Sequence, residues 1–153
     1  MLKTDELKRI KTFKTFTEKQ LEELSKITEK KTFKTSHQIY RSGTPAKNIF
    51  VIAEGLVNLR EWNPEDKFSI GFETLDEGHL FGCGSLMDSK NYTLNAICLE
   101  DTEVVAIKAD RLFELCERDP DLGYKIIKEI AQTYFQRYLT AKRQLHELWR
   151  LFR

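Results

Sequence analysis

The stretch Phe81-Gly82-Cys83-Gly84-Ser85-Leu86 is followed, after a short gap, by Asn91-Tyr92-Thr93-Leu94-Asn95-Ala96. Glycines let backbone N–H groups approach a bound phosphate closely, and a short helix adds the N–H groups of its first turn. The layout therefore looks like a phosphate-binding loop, and residues 81–96 are called the cassette segment below. Neither stretch contains an arginine or a lysine, so the loop lacks the charge that would pair with a phosphate.

Short apolar segments separated by turn residues surround the cassette segment, from residue 32 to residue 108. Strands that recur about every ten residues are typical of a sandwich or a barrel. We therefore predict a fold that is mainly β with flanking helices, in which residues 32–108 form a β-roll of the double-stranded β-helix or jelly-roll type. The predicted strands include Ile49-Phe50-Val51-Ile52, Leu56-Val57-Asn58-Leu59 and Val104-Val105-Ala106-Ile107.

Helices are predicted on both sides of the β-roll, in about residues 1–31 and in residues 109–153, and the whole chain, 1–153, is interpreted as one domain. Thr17 and Gln20 match a capping box, in which a hydroxyl residue is followed three residues later by Gln. Asp119 is a suitable N-cap, and Pro120 fits the first position of a long helix that runs to about residue 148 or beyond.

Apolar residues in this long helix recur at alternating steps of four and three, which is a heptad pattern sustained for nearly four repeats. We predict that this stripe, called the seam below, forms a parallel homodimer, because a second apolar stripe remains to pack on the barrel. Ile126, Ile130 and Leu139 belong to that second stripe. The alternative is that both stripes pack within one chain. The seam consists of Ile127, Ala131, Tyr134, Tyr138, Ala141, Leu145, Leu148 and Phe152.

The composition excludes several classes of protein. A formal net charge of +1 gives no overall basic field, so direct binding of nucleic acid by this chain is not expected. No apolar run approaches the roughly 18 residues of a membrane span, and residues 1–5 lack a signal-peptide pattern, so we predict a cytoplasmic protein without a membrane partner. Three widely spaced cysteines argue against a disulfide framework. No catalytic pair of recognisable spacing indicates an enzyme.

Five segments, in this order and spacing, together resemble the cyclic-nucleotide-binding domain family over nearly the whole chain. They match its first strands, its glycine turn, its central strand pair, the turn into its phosphate cassette and the start of its last strand. The segments are Thr32-Phe33-Lys34, Ile39-Tyr40-Arg41-Ser42-Gly43-Thr44-Pro45-Ala46, Ile49-Phe50-Val51-Ile52-Ala53-Glu54-Gly55-Leu56-Val57, Leu75-Asp76-Glu77-Gly78-His79-Leu80-Phe81-Gly82 and Asp101-Thr102-Glu103-Val104.

The resemblance implies a ligand site in the cassette segment, but two of its charged residues are replaced. The family has a Glu, which accepts from the ribose, where this chain has Cys83, and an Arg, which pairs with the phosphate, where it has Tyr92. Loss of the arginine contact costs about 1.5–3 kcal/mol and loss of the ribose contact about 1–3 kcal/mol, together about two to four decades of affinity. Tight binding of cyclic AMP or cyclic GMP in the usual mode is therefore not expected. The candidate ligand-binding residues are Phe72, Phe81, Gly82, Cys83, Gly84, Ser85, Leu86, Tyr92, Thr93 and Tyr134.

The leading interpretation is a non-catalytic, ligand-sensing regulatory domain whose small-molecule ligand has diverged or been lost. In the family, the dimer helix closes over the ligand, which makes Tyr134 a candidate lid residue. One alternative is the sensor part of a transcription regulator of the cyclic-AMP receptor type. Another is a haem- or redox-sensing variant, with His79 and Cys83 as candidate metal ligands. The sequence specifies no cofactor; a cyclic nucleotide and a haem are the two candidates.

Overall fold

Two four-stranded antiparallel sheets form the body of the molecule in the computed structural model, which describes residues 2–63, 65 and 68–153. The strands are β1 (Thr28–Phe33), β2 (Gln38–Tyr40), β3 (Asn48–Glu54), β4 (Val57–Asn63), β5 (Phe68–Leu75), β6 (Leu80–Phe81), β7 (Asn95–Cys98) and β8 (Thr102–Lys108). One sheet has the order β1-β8-β3-β6 and the other β2-β7-β4-β5. The prediction of a jelly-roll fold that is mainly β is confirmed.

Helices flank the sheets at both ends of the chain. They are α1 (Thr4–Lys8), α2 (Glu18–Ser25), α3 (Ala109–Arg118) and α4 (Pro120–Arg150), with 3-10 helices at Lys11–Phe13 and Cys83–Met87. The β-roll begins earlier than residue 32, because β1 starts at Thr28 and pairs there with Ile107 of β8. None of the helices in the described part of the chain combines the length and apolarity that crossing a bilayer requires.

The central strand β3 is buried on both faces, which explains its uninterrupted apolar sequence. Side chains alternate along a strand, so that Phe50 and Ile52 enter the core between the two sheets, whereas Ile49 and Val51 enter a second core under the helices. That second core also contains residues of both terminal regions, such as Leu24 of α2. The terminal helices are therefore part of the domain and not additions to it.

The capping box at the start of α2 forms as predicted and also reaches the start of α4. Gln20 N donates to Thr17 Oγ1 (3.2 Å) and Thr17 N donates to Gln20 Oε1 (3.0 Å). Gln20 Nε2 donates to Asp121 Oδ2 (2.8 Å), and Lys125 Nζ donates to Gln20 Oε1 (2.9 Å). Asp119 caps α4 by accepting from the backbone N–H of Leu122 (3.1 Å). The first turn of α4 is thus fixed to α2.

The long helix α4 changes its surroundings along its length. Leu122, Ile126 and Ile130 are buried against the domain, whereas all ten residues from 141 to 150 are exposed. Leu139 was expected to pack on the barrel with Ile126 and Ile130, but it is 39% exposed because the helix has left the domain at that point. Every seam residue is exposed in the single chain: Ile127, Ala131, Tyr134, Tyr138, Ala141, Leu145, Leu148 and Phe152.

Candidate functional site

A cavity lies between the cassette segment, the barrel interior and α4, where the sequence predicted a ligand site. Seven of the predicted residues line it: Phe81, Gly82, Cys83, Gly84, Tyr92, Thr93 and Tyr134. Its volume is about 30 Å³, which accommodates two or three water molecules at ~10–15 Å³ each by this measure. Pockets for drug-sized ligands measure roughly 300–1,000 Å³. The cavity in this conformation is therefore far smaller than a nucleotide.

Three predicted site residues lie elsewhere. Phe72 is 38% exposed on β5, Ser85 lines a groove between the cassette segment and α3, and Leu86 packs against the core under the helices. The short helix expected in the cassette segment is the 3-10 helix Cys83–Met87, and the cavity is lined by Cys83 and Gly84 of this helix but not by Ser85 or Leu86.

Tyr92 fills the space that the cassette segment encloses. Its ring stacks on the ring of Tyr40 at 3.7 Å between centroids and an angle of 11°. The Tyr92 hydroxyl donates to the backbone O of Asn48 (2.7 Å) and accepts from the backbone N–H of Asn48 (3.2 Å). The residue at the family's arginine position is therefore buried and hydrogen-bonded to the backbone, and its ring packs in the core between the two sheets at the edge of the cavity.

Gly82 makes room for this ring. Its φ of +72° is in the left-handed region, and a Cβ at this position would lie 3.2 Å from Cε1 of Tyr92 and 3.4 Å from the backbone O of Asn48. Tyr40, Phe50 and Phe81 form a stacked cluster around the same point, with centroids 5.2–6.1 Å apart. The glycine of the cassette segment thus accommodates an internal aromatic side chain.

Cys83 does not have the environment of a reactive thiol. Burial raises its pKa to about 12, although the nearby positive charge of Arg137 acts in the opposite direction. His79 lines a different cavity and places Nδ1 2.8 Å from Asp76 Oδ1. The structure therefore does not bring the two candidate metal ligands to one pocket. Among the described residues, no group of three or more His, Cys, Asp or Glu side chains is placed to hold a metal ion.

Arg137 of α4 lines the cavity, which corrects the expectation that the site has no cation. Its Nε donates to Glu73 Oε2 of β5 at 2.6 Å, and its Cζ lies 4.7 Å from the centroid of the Tyr134 ring. Burial opposes the charge of Arg137, but the hydrogen bond and charge of Glu73 outweigh it, so the pKa of Arg137 is raised. A signal was present in the sequence, because Arg137 follows the predicted lid residue Tyr134 by three positions and shares its helix face.

The model of the cyclic nucleotide-binding domain family matches residues 30–119. No curated protein matches the chain at a significant level. A solved structure from Geobacter metallireducens GS-15, described as a cyclic nucleotide-binding protein, superposes with a TM-score of 0.76 at 27% identity, over 90% of this chain and 99% of that one. A cyclic nucleotide-binding domain from Methylobacillus flagellatus KT gives a TM-score of 0.76 at 21% identity, over 94% and 81% of the two chains.

The catabolite activator protein of Thermus thermophilus also shares the fold. Its TM-score is 0.70 at 20% identity, and the match covers 90% of this chain and 62% of the activator. The match to the family model extends over more than half of the present sequence, and the two sheets, the cassette segment and the long helix occur in the order that the resemblance implies. The chain belongs to the cyclic nucleotide-binding domain family.

Proposed function

We propose that the protein is a non-catalytic regulatory domain that senses a small molecule, and that it does not bind cyclic AMP or cyclic GMP tightly in the family's usual mode. The observation that carries this proposal is the position of Tyr92. The ring occupies the space beside Gly82, and the cavity left next to it measures about 30 Å³. A nucleotide therefore requires Tyr92 to leave its place.

Displacement of Tyr92 is costly because the ring is part of the barrel core. Movement of the Tyr92 side chain out of this position would break two hydrogen bonds with Asn48, each contributing about 0.5–1.5 kcal/mol. It would also break the stacking on Tyr40, which contributes about 0.5–1.5 kcal/mol beyond its buried area. These costs add to the loss of the phosphate-binding arginine, so that both effects act against nucleotide binding.

Calorimetric titration of the full chain with cyclic AMP and cyclic GMP tests the proposal. We expect no binding by the wild-type protein up to about 1 mM, which corresponds to a binding free energy weaker than about −4 kcal/mol. The variant Tyr92→Arg, alone and with Cys83→Glu, restores the residue types of the family and should increase affinity. Micromolar binding by the wild-type protein contradicts the proposal.

A homodimer through α4 is the assembly that we propose for this sensor. The part of the helix beyond the domain exposes Leu145, Leu148 and Phe152 along one stripe, beside Trp149. These residues form one exposed and mainly apolar face of the helix. An isolated amphipathic helix that leaves its domain is only marginally stable in water, and a second copy supplies the matching stripe for the seam. Sedimentation equilibrium measures the mass directly, and a monomer at 100 μM contradicts this assembly.

A second candidate function is the sensor part of a transcription regulator. The likeness to the Thermus thermophilus activator, of which this chain covers 62%, favours it. In that case the ligand state of the domain controls a DNA-binding unit. A gel-shift experiment with the purified chain and promoter DNA tests direct binding, and no shift is expected because the net charge is only +1.

A further inference from the structure

We propose that the ligand of this domain is a small planar oxyanion, such as a carboxylate or nitrate, which binds Arg137 in place of Glu73. This inference rests on the proposed sensing function and specifies the chemistry of its ligand. In this inference the cation that binds the anion is on α4, and not in the cassette segment.

The guanidinium of Arg137 is the first part of the argument. Its side chain is 21% exposed, and it lines the cavity together with Thr93 and Tyr134. Among the described residues, its hydrogen bonds go to Glu73 and Tyr134. A guanidinium has five N–H donors in a fixed plane, so these contacts leave donors over for a ligand. Its positive charge also acts on Cys83 and Tyr40 in the cavity wall, where it counteracts the rise in pKa caused by burial.

The size of the cavity selects the shape of the anion. About 30 Å³ holds two or three heavy atoms, so an anion fits only if it also takes the place of the Glu73 carboxylate, which lies outside the lining of this cavity, and a nucleotide is excluded. The planar fork of an arginine matches a planar oxyanion through two parallel N–H···O bonds. Carboxylates and nitrate have this shape, whereas inorganic phosphate is tetrahedral and larger. The expected order of affinity is therefore acetate or nitrate before phosphate.

Glu73 occupies the place of such an anion in this conformation. Its carboxylate is itself a planar oxyanion, it is 18% exposed, and it accepts from Arg137 at 2.6 Å. It thus acts as an internal competitor that any anionic ligand must replace. Because Glu73 lies on β5 and Arg137 on α4, the exchange also removes an ion pair between the barrel and the long helix. A ligand that binds the unpaired state better shifts the helix toward that state.

The test compares three variants of the full chain with the wild-type protein. Isothermal titration with sodium acetate, sodium nitrate and sodium phosphate is performed at constant ionic strength. Glu73→Gln keeps the shape of the competitor but removes its charge, so we expect acetate and nitrate to bind at least tenfold more tightly than to the wild-type protein. Arg137→Met should abolish binding. Lys128→Met removes the same charge from an exposed position of α4 and should leave binding unchanged.

Three outcomes overturn the inference: equal binding by Arg137→Met and the wild-type protein, no binding by Glu73→Gln, or equal loss in Lys128→Met. If Arg137→Met does not fold, the Glu73→Gln result alone decides, since that variant retains the guanidinium. A titration of the same samples with cyclic AMP separates the two proposals. Micromolar cyclic AMP binding contradicts the proposed function, whereas absence of anion binding contradicts only the assignment of a planar oxyanion as the ligand.

Discussion

The two halves of α4 have similar apolar content but opposite surroundings. In the inner half, Leu122, Ile126 and Ile130 are buried against the barrel and the N-terminal helices. In the outer half, Leu145, Leu148 and Trp149 are each more than half exposed. Arg137 lies between them and connects the helix to the barrel through its ion pair with Glu73. One helix therefore supplies core residues to its own domain in its inner half and leaves its apolar side chains exposed in its outer half.

This contrast shows that heptad spacing alone does not tell which stripe of a helix its own domain covers. Ile126 and Leu139 both belong to the second stripe, and only the tertiary fold buries Ile126 and leaves Leu139 exposed. The following predictions test whether the two halves are as different in energy as they are in burial.

The largest difference in stability is expected between two alanine substitutions, one in each half of α4. Ile126→Ala should lower the free energy of unfolding by about 2–5 kcal/mol, because it leaves a cavity in the core. Leu148→Ala, measured below the dimer dissociation constant, should change it by less than about 0.5 kcal/mol. Urea denaturation followed by circular dichroism measures both. Similar losses in the two variants would mean that the outer half folds back onto the domain.

The next largest effect concerns assembly. Leu145→Glu combined with Leu148→Glu should convert the proposed dimer to a monomer, because an uncompensated buried charge costs about 3–5 kcal/mol. Glu147→Gln, an exposed position off the seam, is the matched control and should remain dimeric. Light scattering after size-exclusion chromatography reports the mass of each. A double variant that stays dimeric would place the dimer contact elsewhere.

Gly123 tests how tightly the inner half is packed. A Cβ at this position would lie 3.0 Å from the backbone O of Cys116 and 3.3 Å from its Cβ. Gly123→Ala should therefore destabilise by about 1–3 kcal/mol through overpacking, although alanine is the better helix former. Gln144→Ala in the exposed outer half should be neutral or slightly stabilising. Thermal unfolding shows whether each variant is less or more stable than the wild-type protein. A more stable Gly123→Ala would show that α3 and α4 can separate freely.

A smaller loss of stability is expected from a substitution in the cavity, which lies next to the boundary between the two halves of α4. Tyr92→Phe keeps the stacked ring but removes the hydroxyl that bonds to Asn48, and should destabilise by about 0.5–1.5 kcal/mol. Tyr138→Phe is the control, since Tyr138 is exposed on the seam. Chemical denaturation of both variants measures the difference. An unchanged Tyr92→Phe would mean that the hydroxyl is not bonded in solution.

The smallest response is expected from the thiols. Burial raises the pKa of Cys83 to about 12 and that of Cys116 to about 11, and it raises the pKa of Cys98 as well. A raised pKa keeps each thiol neutral, so at pH 8 about one Cys83 in 10⁴ is the reactive thiolate. Ellman's reagent should therefore react slowly with the native protein and rapidly after denaturation. A fast native reaction would support the redox-sensing alternative.

Local signals in the sequence are sufficient for most of the fold. The capping box at Thr17 and Gln20, the N-cap at Asp119 and the turn glycines act over a few residues, so a short window contains the relevant physics. The seam likewise follows from periodicity. The interior of the site is harder to predict, because it depends on contacts between distant segments.

Two residues illustrate that difficulty. Tyr92 is recognisable as a replacement for an arginine, but its stacking on Tyr40 depends on a meeting of the cassette segment with β2. Arg137 can be placed near the site by its spacing from Tyr134, but its pairing with Glu73 escapes sequence reasoning because that partner is 64 positions away in the chain. An ion pair between a strand and a helix leaves no periodic pattern in the sequence. The pairing of this charge is therefore the part that requires coordinates.

The hydrogen bonds that connect Gln20 of α2 to the first turn of α4 have a practical consequence for recombinant fragments. A fragment cut to the family-matched interval, 30–119, would omit both Gln20 and its partner Asp121. It would also expose the barrel surface that Leu21, Leu24, Ile126 and Ile130 cover in the intact chain. Such a fragment should be recovered from the insoluble fraction, and useful expression boundaries must retain the segments on both sides of the family match.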